Sequence, residues 1–166
     1  MRKILIPTDF TVESLQLVEY AILNFPETKL DIIMVAGYKI PDTRWGIMHF
    51  NPREQVRKLC SDAYVDSKRR LLQEHKKNIE CLSFELFTGI NSFAFINFLE
   101  QIEAEDAIVP KNESLYCDQY RWFDASRFIK SNVKNVVEIP VESTKRYRRE
   151  SFLSSTYSTY RLKKYT

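Results

Sequence analysis

The sequence predicts an α/β fold, an open five-stranded parallel sheet with helices on both faces. Three observations predict it. Short apolar runs alternate along the chain with segments whose apolar residues recur at helical spacing. The run at residues 30–36 is apolar but for Asp31, as strands buried on both faces are. The resulting order, β-α-β-α-β-α-β-α-β, makes consecutive strands parallel and joined by right-handed crossovers.

Residues 3–7 read as the first strand, rich in Ile and Leu and stopped by Pro7. A helix follows, entered through Thr11 as N-cap, with Leu15, Leu17, Val18, Ala21 and Ile22 on its apolar face. After the second strand, Pro41, Trp45 and Gly46 mark a loop. Asn51-Pro52 then opens a long helix to about residue 77, proline suiting the first helical position. The third strand carries Phe84 and Leu86 and ends at Thr88-Gly89. Phe93, Ile96, Leu99 and Ile102 recur at three-residue spacing in the next helix, capped by Asn91 or Ser92. Residues 107–110 form the fourth strand. Residues 119–131 form a last helix with Trp122, Ala125, Phe128 and Ile129 inward, and 136–140 form the fifth strand.

Composition narrows the classes. The chain has 166 residues, 44% hydrophobic and 28% charged, as a globular protein does. Only three residues are glycine, where ordinary usage predicts about a dozen. None follows Gly89. No apolar run reaches the ~18 residues of a membrane span. The N-terminal run at 4–7 is too short for a signal peptide, so the expected compartment is the cytoplasm. Cys60, Cys81 and Cys117 lack metal-ligand spacing and read as buried or half-buried thiols in a reducing environment. His49 and His75 have no neighbouring Cys or Asp cluster and read as surface histidines. No nucleophile elbow or Cys/His signature is present. The expectation is therefore no catalytic residue, no metal and no cofactor.

Charge divides the chain. Seven basic side chains in 141–166, opposed by Glu142 and Glu150, leave +5 there and −2 in residues 1–140. Four of the nine tyrosines lie in this stretch, around a Ser/Thr-rich centre. The chain thus reads as a domain, 1–140, and a basic Tyr/Ser-rich C-terminal extension, 141–166. The extension has three readings: a β-arm on its own domain or a partner subunit, a solvated tail, or a polyanion-binding segment whose tyrosines stack on exposed bases. The charges of residues 53–77 interleave in sign and read as a solvated helix face.

The opening Ile4-Leu5-Ile6-Pro7-Thr8-Asp9-Phe10-Thr11, with Glu13-Ser14-Leu15 and Glu19-Tyr20-Ala21, closely resembles the start of universal stress proteins of the UspA type. Ile32-Ile33-Met34-Val35, Gly89, Glu105-Asp106-Ala107-Ile108-Val109 and residues 136–140 fit in the same order. The resemblance covers 1–140. It implies a Rossmann-like sheet of the adenine nucleotide alpha hydrolase type, assembled as a homodimer through the edge of the last strand. It also implies adenine and ribose near the ends of the first two strands, at Thr8, Asp9 and Val35. SGGxDS-like and HIGH-like motifs of adenylating relatives are absent.

In the ATP-binding branch a Gly-x2-Gly-x9-Gly-Ser/Thr loop holds the triphosphate, because glycine lets backbone N–H groups reach phosphate oxygens. Here residues 110–123 hold no glycine, include Glu113 and Asp118, and place Trp122-Phe123 where the final Gly-Ser stands. The expectation is loss of family-style ATP binding. Asp9 then has two readings: a ligand-facing group beyond the first strand, or an acceptor for backbone N–H groups of the next turn. The function expected is a non-enzymatic stress or regulatory protein, a homodimer binding an unknown protein partner. The alternatives are a remodelled AMP or nucleoside site, or nucleic-acid binding through the extension.

Overall fold

The computed structural model describes residues 1–141. The basic extension lies, but for Val141, outside the described residues. The elements are β1 (Arg2–Pro7), α1 (Gln16–Asn24), β2 (Leu30–Tyr38), α2 (Arg44–Met48), α3 (Pro52–Leu59), α4 (Asp62–Glu74), β3 (Ile79–Phe87), α5 (Ser92–Ile102), β4 (Asp106–Pro110), β5 (Trp122–Phe123), α6 (Ser126–Asn132) and β6 (Asn135–Ile139). Five strands are parallel in the order β3-β2-β1-β4-β6. The expected parallel α/β sheet is present.

Period-2 geometry explains how β1 and β2 divide their side chains. Ile4, Ile6, Ile32, Met34 and Ala36 face one core, with Leu15, Leu17, Val18, Ala21, Tyr64 and Leu71 from the helical segments on that side. Leu5, Ile33 and Val35 face a second core, with Phe95 of α5 and Ile129 of α6. Fully burying an aliphatic or aromatic side chain contributes about 1.5–3 kcal/mol. Both faces of the central strands carry such residues at 0% exposure, including Ile4, Leu5, Ile6 and Val35. The direction of connection reverses between β1 and β4, so the carboxyl ends of these two strands form the switch-point crevice.

Six expectations need correction. Pro41–Gly46 is not all loop: α2 begins at Arg44, because the Thr43 hydroxyl accepts from Gly46 N–H at 3.0 Å and caps a short turn. The long helix from Pro52 is two helices. Asn51 caps the first as expected, but Cys60 is extended and Ser61 caps a second start through Tyr64 N–H, 3.2 Å. The inner face of α5 is turned from the expected one. Phe95 is 0% exposed and Phe93 is 74% exposed, and Phe98, Leu99 and Ile102 complete the buried side. The last helix starts at Ser126. Trp122 belongs instead to β5, a sixth strand that runs antiparallel to β2. Cys81 is exposed on the edge strand β3, while Cys60 and Cys117 are half-buried.

Thr11 is not the N-cap of α1, which begins after Leu15; its hydroxyl accepts from Ser14 N–H at 3.3 Å in the turn before the helix. The turn it opens is a 3-10 segment, Glu13–Leu15, that runs into α1.

Candidate functional site

The crevice is built from the segment that leaves β1. Pro7 pairs with Val35, and Thr8 N–H continues the ladder by donating to the Val35 carbonyl at 2.8 Å. Thr8, Asp9 and Val35 are thus brought together. Val35 itself is 0% exposed, with its side chain in the second core. The chain then turns sharply at Phe10, whose φ of 59° is the left-handed region that costs a non-glycine residue about 1–2 kcal/mol. Two contacts hold it there. Phe10 N–H donates to Thr8 Oγ1 at 3.0 Å, and its ring stacks on Phe84 at 5.9 Å with Tyr64 edge-on.

The polar groups of Thr8 and both carboxylate oxygens of Asp9 meet partners from the same chain. Asp9 Oδ1 accepts from Thr11 N–H at 3.0 Å and from the Thr11 hydroxyl at 2.5 Å. Asp9 Oδ2 accepts from Tyr116 N–H at 2.9 Å, across the loop that follows β4. The Thr8 carbonyl accepts from the Trp122 indole Nε1 at 3.1 Å. Both residues are buried, Thr8 to 1% and Asp9 to 6% exposure. The carboxylate acts as an acceptor for backbone N–H groups, from its own turn and from a distant loop.

The loop between β4 and α6 closes the crevice from above. β1 ends at Pro7, opposite Val35, while β2 runs on to Tyr38. β5 takes the slot so vacated, with Phe123 opposite Gly37 and Trp122 opposite Tyr38. Lys39 N–H to the Arg121 carbonyl, 2.7 Å, extends the pairing. Trp122 packs toward the first core and Phe123 toward the second. Phe123 lies so close that a Cβ on Gly37 would sit 2.3 Å from its ring. Its ring joins Phe87 at 6.2 Å and Phe128 at 6.4 Å in an aromatic cluster.

Two open clefts flank this corner. One, about 310 Å³, lies between the Asp9–Glu13 segment, Leu59, Ser61 and residues 117–119. The other, about 470 Å³, is lined by Asn112, Glu113, Leu115, Asp124, Ser126, Arg127 and Lys130. Asp124 Oδ1 accepts from Ser126 N–H at 2.9 Å, and burial pushes its carboxyl above the usual aspartate range. The Ser114 and Ser126 hydroxyls are buried beside it without a hydrogen-bond partner among the described residues. The Tyr64 phenol, also buried, makes no hydrogen bond of standard geometry, and burial raises its pKa. Among the described residues no group of three His, Cys, Asp or Glu side chains could hold a metal ion. His49 is exposed and packs on Trp45 at 3.9 Å, far in sequence from this corner.

Sequence reasoning missed the Tyr116 amide, the Trp122 indole contact and the left-handed Phe10. The first is a backbone donor, which no residue type announces. The aromatic pair was singled out, but as part of a helix.

Comparisons with protein-family models and with curated proteins give no match. Solved structures do match. The hypothetical protein MJ0577 is similar at 14% identity and a TM-score of 0.50, over 86% of this chain and 98% of that one. That likeness shows the fold alone, an open parallel α/β sheet. A protein of the universal stress protein family from Burkholderia pseudomallei is similar at 16% identity and a TM-score of 0.46, over 83% of this chain and 95% of that one. A universal stress protein family protein from Arabidopsis thaliana, solved with AMP bound, is similar at 8% identity and a TM-score of 0.47, over 87% and 95%. Within this fold, Thr8 and Asp9 follow the carboxyl end of β1, and Val35 of β2 lies opposite its last residue, Pro7. Among the described residues no helix is long and apolar enough to cross a membrane.

Proposed function

We propose that the chain is a non-enzymatic, cytoplasmic stress-response or regulatory protein of the universal stress protein type, working as a homodimeric interaction module. In this reading it does not bind ATP through a glycine-rich phosphate loop. The observation that carries the reading is the occupied corner: Tyr116 N–H on Asp9 and the Trp122 indole on Thr8 use groups that a nucleotide would need. The Asp9 carboxylate oxygens and the Thr8 carbonyl are thus hydrogen-bond acceptors already in use.

Exposed apolar side chains support the interaction role. Trp45, Ile47 and Met48 on α2, and Ile90 and Phe93 at the start of α5, are between 56% and 87% exposed. They follow β2 and β3, at the carboxyl end of the sheet. Apolar exposure of this extent at one end of the sheet is consistent with contact with another macromolecule.

A second reading is a remodelled site for AMP or a nucleoside. The cleft of about 310 Å³ beside Asp9 supports it, being at the lower end of small-molecule pockets. Calorimetric titration with ATP, AMP and adenosine separates the two. The first reading expects no ATP binding tighter than about 10 µM, and ATP binding below that value overturns it. Saturable binding of AMP or adenosine alone establishes the second.

A further inference from the structure

The cleft of about 470 Å³ shares no lining residue with the one beside Asp9. Its wall is polar but for Leu115, and it carries both signs of charge. Glu113 comes from the loop after β4 and Asp124 from the turn before α6, while Arg127 and Lys130 stand on α6 itself. Three positions apart on a helix, the two cations share one face. Among the described residues no ion pair joins either cation to either of these carboxylates. Lys130 instead reaches Glu138 at 3.5 Å.

Two further groups of the wall lack a counterpart. Ser126 is 6% exposed, and its hydroxyl has no hydrogen-bond partner among the described residues. The Asp124 carboxyl is raised by burial, and the negative charges of Asp9 and Glu113 add to the rise. A cation beside it would draw it back. Ligand pockets are mostly apolar with a few placed polar groups. Here the balance is reversed, so an apolar ligand gains little. A simple anion is attracted by two side chains and repelled by two, and so is a simple cation. A small molecule bearing one charge of each sign meets both halves of the wall.

We propose that this cleft binds a free α-amino acid, its carboxylate held by Arg127 and Lys130 and its ammonium by Glu113 and Asp124. The Ser126 hydroxyl, which can donate or accept, completes the contact. This inference stands apart from the proposed function, since it needs neither a nucleotide nor a second subunit.

The test is calorimetric titration of the full chain with each common L-amino acid, and with acetate and methylamine, which carry one charge each. At least one amino acid is expected to bind saturably with a Kd below about 1 mM, while acetate and methylamine do not. No binding by any amino acid overturns the proposal, as does equally tight binding of acetate or methylamine. Arg127 and Glu113 are exposed, so Arg127→Gln and Glu113→Gln keep the fold, and each should weaken binding about two- to fivefold. Unchanged affinity in either variant overturns the assignment. Ser126→Ala removes a hydroxyl without a hydrogen-bond partner among the described residues. It should weaken binding about threefold and leave the midpoint of urea unfolding in place. A shifted midpoint with unchanged affinity makes that hydroxyl structural and overturns its part in the site.

Discussion

The amide of Tyr116 donates to the carboxylate of Asp9 at 2.9 Å, joining residues 107 positions apart. Through it the turn after β1 and the loop after β4 become one structure. Asp9→Ala leaves this donor and the Thr11 N–H without their acceptor in a buried corner. The expected loss is about 2–3 kcal/mol, read from urea unfolding. Asp9→Asn keeps one oxygen and sets an NH2 group against Tyr116 N–H, so its loss is smaller, about 1–2 kcal/mol. An Asp9→Ala variant as stable as wild type would show the tie to be incidental.

Gly37 and Phe123 form a second dependency. Adding a Cβ at 37 drives it into the Phe123 ring, 2.3 Å away. Gly37→Ala is expected to cost about 1–3 kcal/mol by overpacking. Combined with Phe123→Ala, the clash partner is gone, so the double variant loses at least about 1 kcal/mol less than the two single losses together. Simple additivity in a double-mutant cycle would mean that β5 is not seated on Gly37.

The two faces of α5 give a direct contrast. Phe95 is 0% exposed and packs on Phe87 edge-on at 4.9 Å. Phe95→Ala should cost about 3–5 kcal/mol. Phe93 is 74% exposed, and Phe93→Ala should stay within about 0.5 kcal/mol. Chemical unfolding of both variants decides the orientation, and equal losses would contradict it.

Asp124 makes stability depend on pH. Burial raises its carboxyl, hydrogen bonding from Ser126 N–H draws it back, and Asp9 and Glu113 push it further up. The folded protein therefore holds this proton to higher pH than the unfolded chain, whose value lies near 3.8. Between the two values the folded state binds more protons, so this group's contribution to stability falls as pH rises. Above the folded value the buried charge weighs fully against folding. Asp124→Asn keeps an oxygen for Ser126 N–H and removes the charge. Its Tm should exceed that of wild type at pH 7, with the advantage shrinking below pH 4. An advantage that is the same at both pH values would exclude titration as its cause.

The sheet was legible wherever strands are buried on both faces. In β1 and β2, Ile4, Leu5, Ile6 and Ile32 to Ala36 leave no polar alternation to misread, and Pro7 marks the end of the first run. The face of α5 was not. Phe93, Ile96, Leu99 and Ile102 and the observed Phe95, Phe98, Leu99 and Ile102 both satisfy helical spacing. Only packing against Phe87 and Phe128 decides between them. β5 was hidden for a different reason: two residues carry no period, and their place depends on where β1 stops and on the bare Cα of Gly37. Within the site, Asp9 could be found from its position after the first strand. Its partner could not, because a backbone amide reads alike at every residue.

The two-residue strand β5 also sets an order of events in time. Trp122 meets Thr8 across 114 positions, and two ladder pairs cannot repay the entropy of closing so long a loop. Long-range pairings of this kind must wait until other contacts have brought their ends together. β1, β2 and β4 therefore assemble first, and the corner is sealed late in folding. The same weakness lets it unseal first. Amides at Lys39 and Tyr116 should exchange with solvent through local opening, and those of Ile4 and Ile6 only on unfolding of the whole domain, an order that hydrogen exchange reads directly. Opening of the crevice is thus expected as a reversible excursion of the native protein, on its own clock.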